Sequence, residues 1–286
     1  MMTALRQQMI EAMRLRGFSP RTHESYLGAV EQLARYYRCA PDRLSSAQLQ
    51  AYFKHLALER GLAPASCRLY LNGIRFFYLS VLGREAFEVS MVVPKRQQRI
   101  PALLSRGEVS RILAACENPK HRMLLETCYG CGLRVSELVS LRVSDIDGER
   151  RLLRIEQGKG AKDRQVIIAP TLLDRLRRYW REQRPANWLF PNPQRRERHL
   201  DISTAQRVYR RAKTVAGVDK AGGIHGLRHA YATHQLENGL PVHQLQRLLG
   251  HSDIHSTLRY VHWVPSEQRE GRGHADLIEC LALRHG

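Results

Sequence analysis

The chain has 286 residues, enough for one large domain or two modest ones, and its 43% hydrophobic and 26% charged content is that of an ordinary globular protein. Its charge is not ordinary: 46 Lys and Arg against 27 Asp and Glu give +19, with 15 basic and 7 acidic side chains in residues 1–100 and 31 and 20 in residues 101–286. An excess spread over both halves suits a protein whose two parts face a polyanion, most simply DNA or RNA, and excludes a detachable basic tail. No apolar stretch approaches the ~20 residues needed to cross a membrane. The six scattered cysteines and the absence of a signal peptide point to a reduced, cytoplasmic setting.

In chain order, residues 3–16 read as an amphipathic helix with Leu5, Met9, Ile10 and Met13 on one side. Gly17 to Pro20 breaks it, and Ser19 or Thr22 can cap a second helix carrying Tyr26, Ala29, Val30, Leu33 and Tyr37. Ser45 and Ser46 cap a third with Leu49, Tyr52, Phe53 and Leu56 inward; Gly61 to Pro64 turns into a fourth through Leu71, Ile74, Phe77 and Tyr78. These helices form a compact all-α unit in which the aromatic residues are core rather than base-stacking platforms. Pro94 to Pro101, polar and without periodicity, reads as an extended linker.

Beyond it, Ser105 and Glu108 form a capping-box pattern opening a helix over 105–116. A helix over about 119–130 and another ending at Leu141 follow. Residues 151–156 and 164–168 look like strands of a hairpin whose tip, Gly158 to Asp163, holds two of the seven lysines, Lys159 and Lys162. Helices return over 171–183, 203–216, 226–238, 242–249 and about 254–261. The fold class is therefore mainly α with a small β-hairpin or sheet (α+β). Cys128 and Cys131 have metal or redox spacing but lie in an apolar run with no second pair, so they read as small buried side chains.

Cleaving a phosphodiester without water as nucleophile needs preorganised cations at the non-bridging oxygens, a positioned nucleophile and a proton for the departing alkoxide. Arginine is the best such cation because its planar fork stays charged. Arg134 follows Gly132 near a helix start, and Arg228 lies three residues after His225, on the same helix face. His225 and His229 have a spacing that would suit a metal, but Gly226 stands where a metalloprotease helix needs Glu. His251 follows Gly250 at a helix end. Tyr260 sits between polar neighbours, Arg259 and His262, which offer little burial and leave room for a reactive phenol.

The strings Gly132-Leu133-Arg134-Val135-Ser136-Glu137-Leu138, His225-Gly226-Leu227-Arg228-His229, Leu249-Gly250-His251-Ser252 and Tyr260 resemble the ordered boxes of the tyrosine recombinases, the phage-integrase and Xer type. Lys159 is similar to that family's β-hairpin lysine, and the helical N-terminal part resembles its core-binding domain. The resemblance implies a helical, SAM-like DNA-binding domain over 1–93, a linker over 94–102 and a catalytic domain over 103–286 with a C-terminal exchange tail, clamping DNA as a C shape. It implies a site-specific recombinase or integrase working through a 3′-phosphotyrosine, with no metal, ATP or other cofactor. Arg134 and Arg228 would clamp the phosphate and Tyr260 would attack it. Lys159, with Lys162 as its rival, would protonate the 5′ oxygen. His225 would accept a proton or contact the phosphate, and His251 would bond a phosphate oxygen. Glu137 would orient the site, and His229 would be a buried helix partner. The implied partners are double-stranded DNA with a specific recombination site and three further copies, as a homotetramer on two duplexes, in the cytoplasm with the nucleoid and not at a membrane. The apolar tail Ala275 to Leu283 is expected to be helical, docking on its own domain or on a neighbour. Two alternatives share the fold or the chemistry: a catalytically silent DNA-binding regulator and a type IB topoisomerase.

Overall fold

The computed structural model describes residues 4–87, 89, 102–156, 163–264, 274 and 276–281. The chain divides into two units, Met1–Arg99 and Ile100–Gly286. The linker expected at 94–102 falls, apart from its last residue, outside the described residues, as do Lys159 and Lys162 at the hairpin tip.

The first unit is built from α1 (Ala4–Leu15), α2 (Pro20–Tyr37), α3 (Ser46–Lys54) and α4 (Pro64–Phe76). Local chemistry sets each start. Ser19 accepts from Thr22 N, Ser45 and Gln48 close a capping box, and Pro20 and Pro64 occupy first-turn positions where a missing N–H costs nothing. Both α3 and α4 run on into a π-helical turn, His55–Glu59 and Phe77–Val81. Met9, Met13, Leu33, Leu49, Tyr52, Phe53, Leu56, Ile74, Phe77 and Tyr78 are buried in one core. The predicted core aromatics are thus inside, with Tyr26 and Tyr37 half-buried against them.

The second unit contains α5 (Arg106–Ala114), α6 (Pro119–Gly130), α7 (Val135–Val139), α8 (Pro170–Gln183), α9 (Ile202–Val215), α10 (His225–Glu237), α11 (Val242–Leu249) and α12 (His255–Val261). An antiparallel sheet of order β1-β2-β3 joins them, with β1 Ile146–Asp147, β2 Leu152–Ile155 and β3 Arg164–Ile167. The fold is therefore the mainly helical α+β class the sequence predicts. Two details differ. The helix expected to reach Leu141 stops at Val139, and the two-residue strand β1 is too short to leave a pattern.

Helices α6 and α10 pack against each other at the centre of this unit. Every residue from Met123 to Gly130 is buried, and so is every one from Ala230 to Leu236. A helix covered on all sides has no solvent face, which is why neither shows a clean apolar stripe. Their buried polar groups are paired: Thr127 Oγ1 donates to Met123 O (2.7 Å), Tyr129 Oη lies 2.8 Å from His234 Nδ1, and Glu126 meets Arg175 at 2.8 Å. Cys128 and Cys131 are buried free thiols, as expected of them.

Of the tail, residues 276–281 form one 3₁₀ turn, Glu279–Leu281, rather than the expected helix. That segment docks on its own unit: Leu277 and Ile278 are buried, Thr171 N donates to Asp276 Oδ2 (3.1 Å) and Ser110 Oγ to Leu281 O (3.4 Å). Among the described residues no helix is long and apolar enough to cross a membrane.

Between α6 and α7 the chain reverses through Gly132 at φ +59°, where a Cβ would stand 2.4 Å from the Tyr231 ring. Gly132→Ala combines a disfavoured backbone with an overlap in a packed core. It is expected to destabilise the second unit by about 3 kcal/mol, read from urea unfolding.

Candidate active site

Three arginines from three separate elements converge on one carboxylate. Arg134 precedes the first turn of α7; its backbone N donates to Glu137 Oε2 (2.8 Å) and its Nη1 to Oε1 (2.7 Å). Arg164 opens β3, where the register Ile155↔Arg164 and Leu153↔Val166 puts it on the buried sheet face. From there its Nη1 and Nη2 donate to Glu137 Oε1 (2.8 Å) and Oε2 (2.7 Å) in a two-pronged pair. Arg228, in the first turn of α10, is 1% exposed and has Nη1 3.9 Å from Glu137 Oε2. Burial alone would raise the Glu137 pKa, but the Arg164 fork and the Arg134 bonds outweigh it and hold the carboxyl at about 2. Arg228, by burial and by the nearby Arg134 charge, is lowered to about 10, which leaves it cationic at neutral pH.

The same arginines hold the C-terminal end of α11, where backbone carbonyls lack helical partners. Arg164 Nε donates to Leu248 O (2.9 Å), Arg228 Nη2 to Leu249 O (2.6 Å) and Arg134 Nη2 to Gly250 O (3.3 Å). Arg228 Nη1 also donates to Gly132 O at 2.7 Å. Gly250 turns the chain at φ +63°, and a Cβ there would lie 2.7 Å from Arg164 Cδ. Gly132 thus lets the backbone come up against the Tyr231 ring, and Gly250 lets it come up against Arg164.

Past Gly250 the chain enters His251 and then α12. His251 Nε2 lies 3.1 Å from Arg228 Nη2, and its Nδ1 lies 2.8 Å from Thr257 Oγ1. A guanidinium only donates, so Nε2 is the bare acceptor and Nδ1 carries the proton that Thr257 accepts. Burial and then the Arg228 and Arg134 charges lower His251 to about 3, which keeps it neutral. Its ring lies parallel to that of Tyr260, with centroids 6.3 Å apart.

Tyr260 itself is 2% exposed. The polar neighbours that suggested an open phenol do point outward, with Arg259 and His262 exposed, but helical geometry sends Tyr260 the other way, into the core. Its Oη is 2.9 Å from His229 Nδ1, and Trp263 packs edge-on to both rings. Burial raises the phenol's pKa, against the lowering pull of Arg228, Arg259 and Arg134. His229 is therefore not simply a buried helix partner: it is half-buried and meets the tyrosine hydroxyl. His225 is exposed one turn earlier, with its ring 4.5 Å from that of His229. Desolvation, followed by the Arg228 and Arg134 charges, lowers its pKa.

Arg134, Glu137, His225, Arg228, His229, His251 and Tyr260 are thus brought together, while Lys159 lies outside the described residues. Sequence reading missed Arg164, Thr257 and Trp263. The signal for Arg164 was present: strand alternation pairs it with Val166 on the inner face, and an inward arginine needs a carboxylate. A cleft of about 870 Å³ opens beside this cluster, lined by Arg154, Arg164, Gln165, Gln246 and His251 among others. A smaller apolar hollow at Leu173, Leu176 and Trp180 contains none of the clustered residues.

The Glu137 carboxyl, held at about 2 rather than 4.5, contributes stability that is complete above about pH 4.5 and is lost as pH falls toward 2. Glu137→Gln is expected to lower unfolding free energy at pH 7 by about 3 kcal/mol, with the gap to the parent protein closing across that acid window. Denaturant unfolding at a series of pH values measures it; a gap independent of pH would show that the carboxylate's charge is not what holds the arginines.

The phage integrase family matches residues 103–267, and the phage integrase N-terminal SAM-like domain matches residues 5–88. The chain is 41% identical to y4qK of Sinorhizobium fredii, named as an integrase/recombinase, covering 91% of this chain and 84% of that protein. It is 34% identical to the tyrosine recombinase XerA of Thermococcus kodakarensis, covering 93% of each. The structure of the XerH site-specific recombinase bound to palindromic difH substrate shares the fold, with TM-score 0.70 at 19% identity over 92% of this chain and 82% of that one. The chain belongs to the phage integrase family: it is a tyrosine recombinase, a DNA-binding enzyme of site-specific recombination.

Proposed function

We propose that this recombinase breaks and rejoins DNA at a specific recombination site through a covalent 3′-phosphotyrosine on Tyr260, with neither metal ion nor ATP. The observation that carries the reading is the gathering of Arg134, Arg164 and Arg228 on Glu137, with the Tyr260 phenol within the field of Arg228 and Arg134. Such a cage offers fixed cationic donors to the non-bridging oxygens of one phosphate, the task otherwise given to a metal. Arg134 and Arg228 are the clamp, and Glu137 orients it. His251 lies against Arg228 and bonds a phosphate oxygen once its ring is so turned, while His225, exposed at the start of α10, meets the phosphate or takes a proton.

In the first step Tyr260 Oη bonds to phosphorus and the bond to the 5′ oxygen breaks, that oxygen receiving a proton from Lys159 at the hairpin tip, with Lys162 as the rival donor. The phosphoryl bond is kept on the tyrosine, so the return attack by a 5′-hydroxyl needs no nucleotide. In this reading residues 1–93 form the core-binding domain, 94–102 the linker and 103–286 the catalytic domain. Four protomers act on two duplexes in the cytoplasm, at the nucleoid. The DNA substrate named for XerH supports a recombination site as the target class.

A suicide substrate carrying the target site is expected to trap a covalent protein–DNA adduct in EDTA, and Tyr260→Phe to abolish it; an adduct persisting in that variant would assign the nucleophile elsewhere. Arg134→Ala, which leaves Glu137 still paired with Arg164, is expected to slow cleavage by about 10²–10³ while DNA affinity changes only a few-fold. Gel-shift and single-turnover cleavage assays separate the two quantities.

A further inference from the structure

We propose that His229 is a catalytic residue, the group that takes the Tyr260 proton as the phenol attacks phosphorus; this rests on the phosphotyrosine reading above. The two reacting atoms are already in contact, Oη to Nδ1 at 2.9 Å, within the reach required of a general base. The phenol is the more acidic group and a neutral imidazole nitrogen the more basic, so Oη donates and Nδ1 accepts. The proton of this imidazole then sits on Nε2. With Tyr260 only 2% exposed, bulk water is poorly placed to receive its proton.

The surroundings fix this pair. Trp263 stands edge-on to Tyr260 at 5.1 Å and to His229 at 5.9 Å, and the His225 ring stands edge-on to His229 at 4.5 Å. Desolvation, then His225, Arg228 and Arg259, lower His229 to about 4, so at neutral pH it is bare and ready to accept. Its imidazolium becomes affordable only when negative charge builds on the phosphate beside it. With His229 at the phenol, His225 is left for the phosphate.

The step balances. The Oη–P bond forms as the P–O5′ bond breaks, the Oη proton passes to Nδ1, and the 5′ oxygen takes a separate proton from the lysine acid. In the return step a 5′-hydroxyl gives its proton to the now neutral lysine as its oxygen bonds to phosphorus, the Oη–P bond breaks, and Nδ1 gives its proton back to Oη.

The test measures single-turnover adduct formation on a suicide substrate by the full chain. His229→Gln, and His229→Asn as a second variant, are expected to slow it about 100-fold or more with DNA binding retained. Incorporation of a fluorinated, more acidic tyrosine at position 260 is expected to restore much of that loss in the variants and to change the parent enzyme little. A 5′-bridging phosphorothiolate substrate, whose sulfur leaves without needing a proton, is expected to rescue Lys159→Ala but not the His229 variants. Parental rates in both variants, or a loss that the more acidic phenol does not relieve, would overturn the assignment of His229. Absence of any adduct with the parent enzyme would instead overturn the phosphotyrosine reading itself.

Discussion

The second unit is organised around one carboxylate. The two oxygens of Glu137 accept four N–H bonds, from the Arg134 backbone and Nη1 and from both Arg164 terminal nitrogens. Four acceptances are about what a carboxylate can make. Arg228, at 3.9 Å, is therefore close enough to feel the charge but must find its hydrogen bonds in backbone carbonyls. Gathering three guanidinium groups in a partly dry site would be strongly unfavourable without such an anion among them.

This constraint reaches the tyrosine through the chain itself. The arginines grip three successive carbonyls, Leu248, Leu249 and Gly250, and the next residue is His251. Thr257 and Tyr260 follow on α12, one bonded to that histidine and the other stacked alongside it. Helix α10 closes the circuit, because Arg228 and His229 are consecutive: one faces the cage and the other faces the phenol. A shift of α11 against the arginines therefore moves the Tyr260 phenol as well.

Much of this was legible in the sequence, and the exceptions have physical causes. Ser19, Ser45 and Ser105 mark helix starts because capping is a local interaction, read within four residues. Arg134, Glu137, Arg228 and His251 stood out because they lie in strings resembling those of a known family. Arg164 did not, since strand alternation puts it on the inner face with Val166 but its carboxylate partner is 27 residues away in sequence. The orientation of Tyr260 was misjudged because its immediate neighbours are polar, whereas burial on a helix is decided by the residues packed across from it, here His229 and Trp263. The tail was expected to be helical from its apolar composition, yet Leu277 and Ile278 are buried without forming a helix, as tertiary burial overrides local propensity.

The arginine cage also bears on how the protein responds to its ligand. Three guanidinium charges face one carboxylate, a local surplus of two positive charges that carbonyl dipoles only partly offset. On the proposed reading, a phosphate entering the cage would supply the missing anion, so the interactions that bind it would also relieve repulsion inside the folded chain. By linkage, a ligand that engages only the folded form raises its stability. On the proposed reading, substrate would then behave as a structural component, and the second unit would be most firmly folded when it holds the bond to be broken.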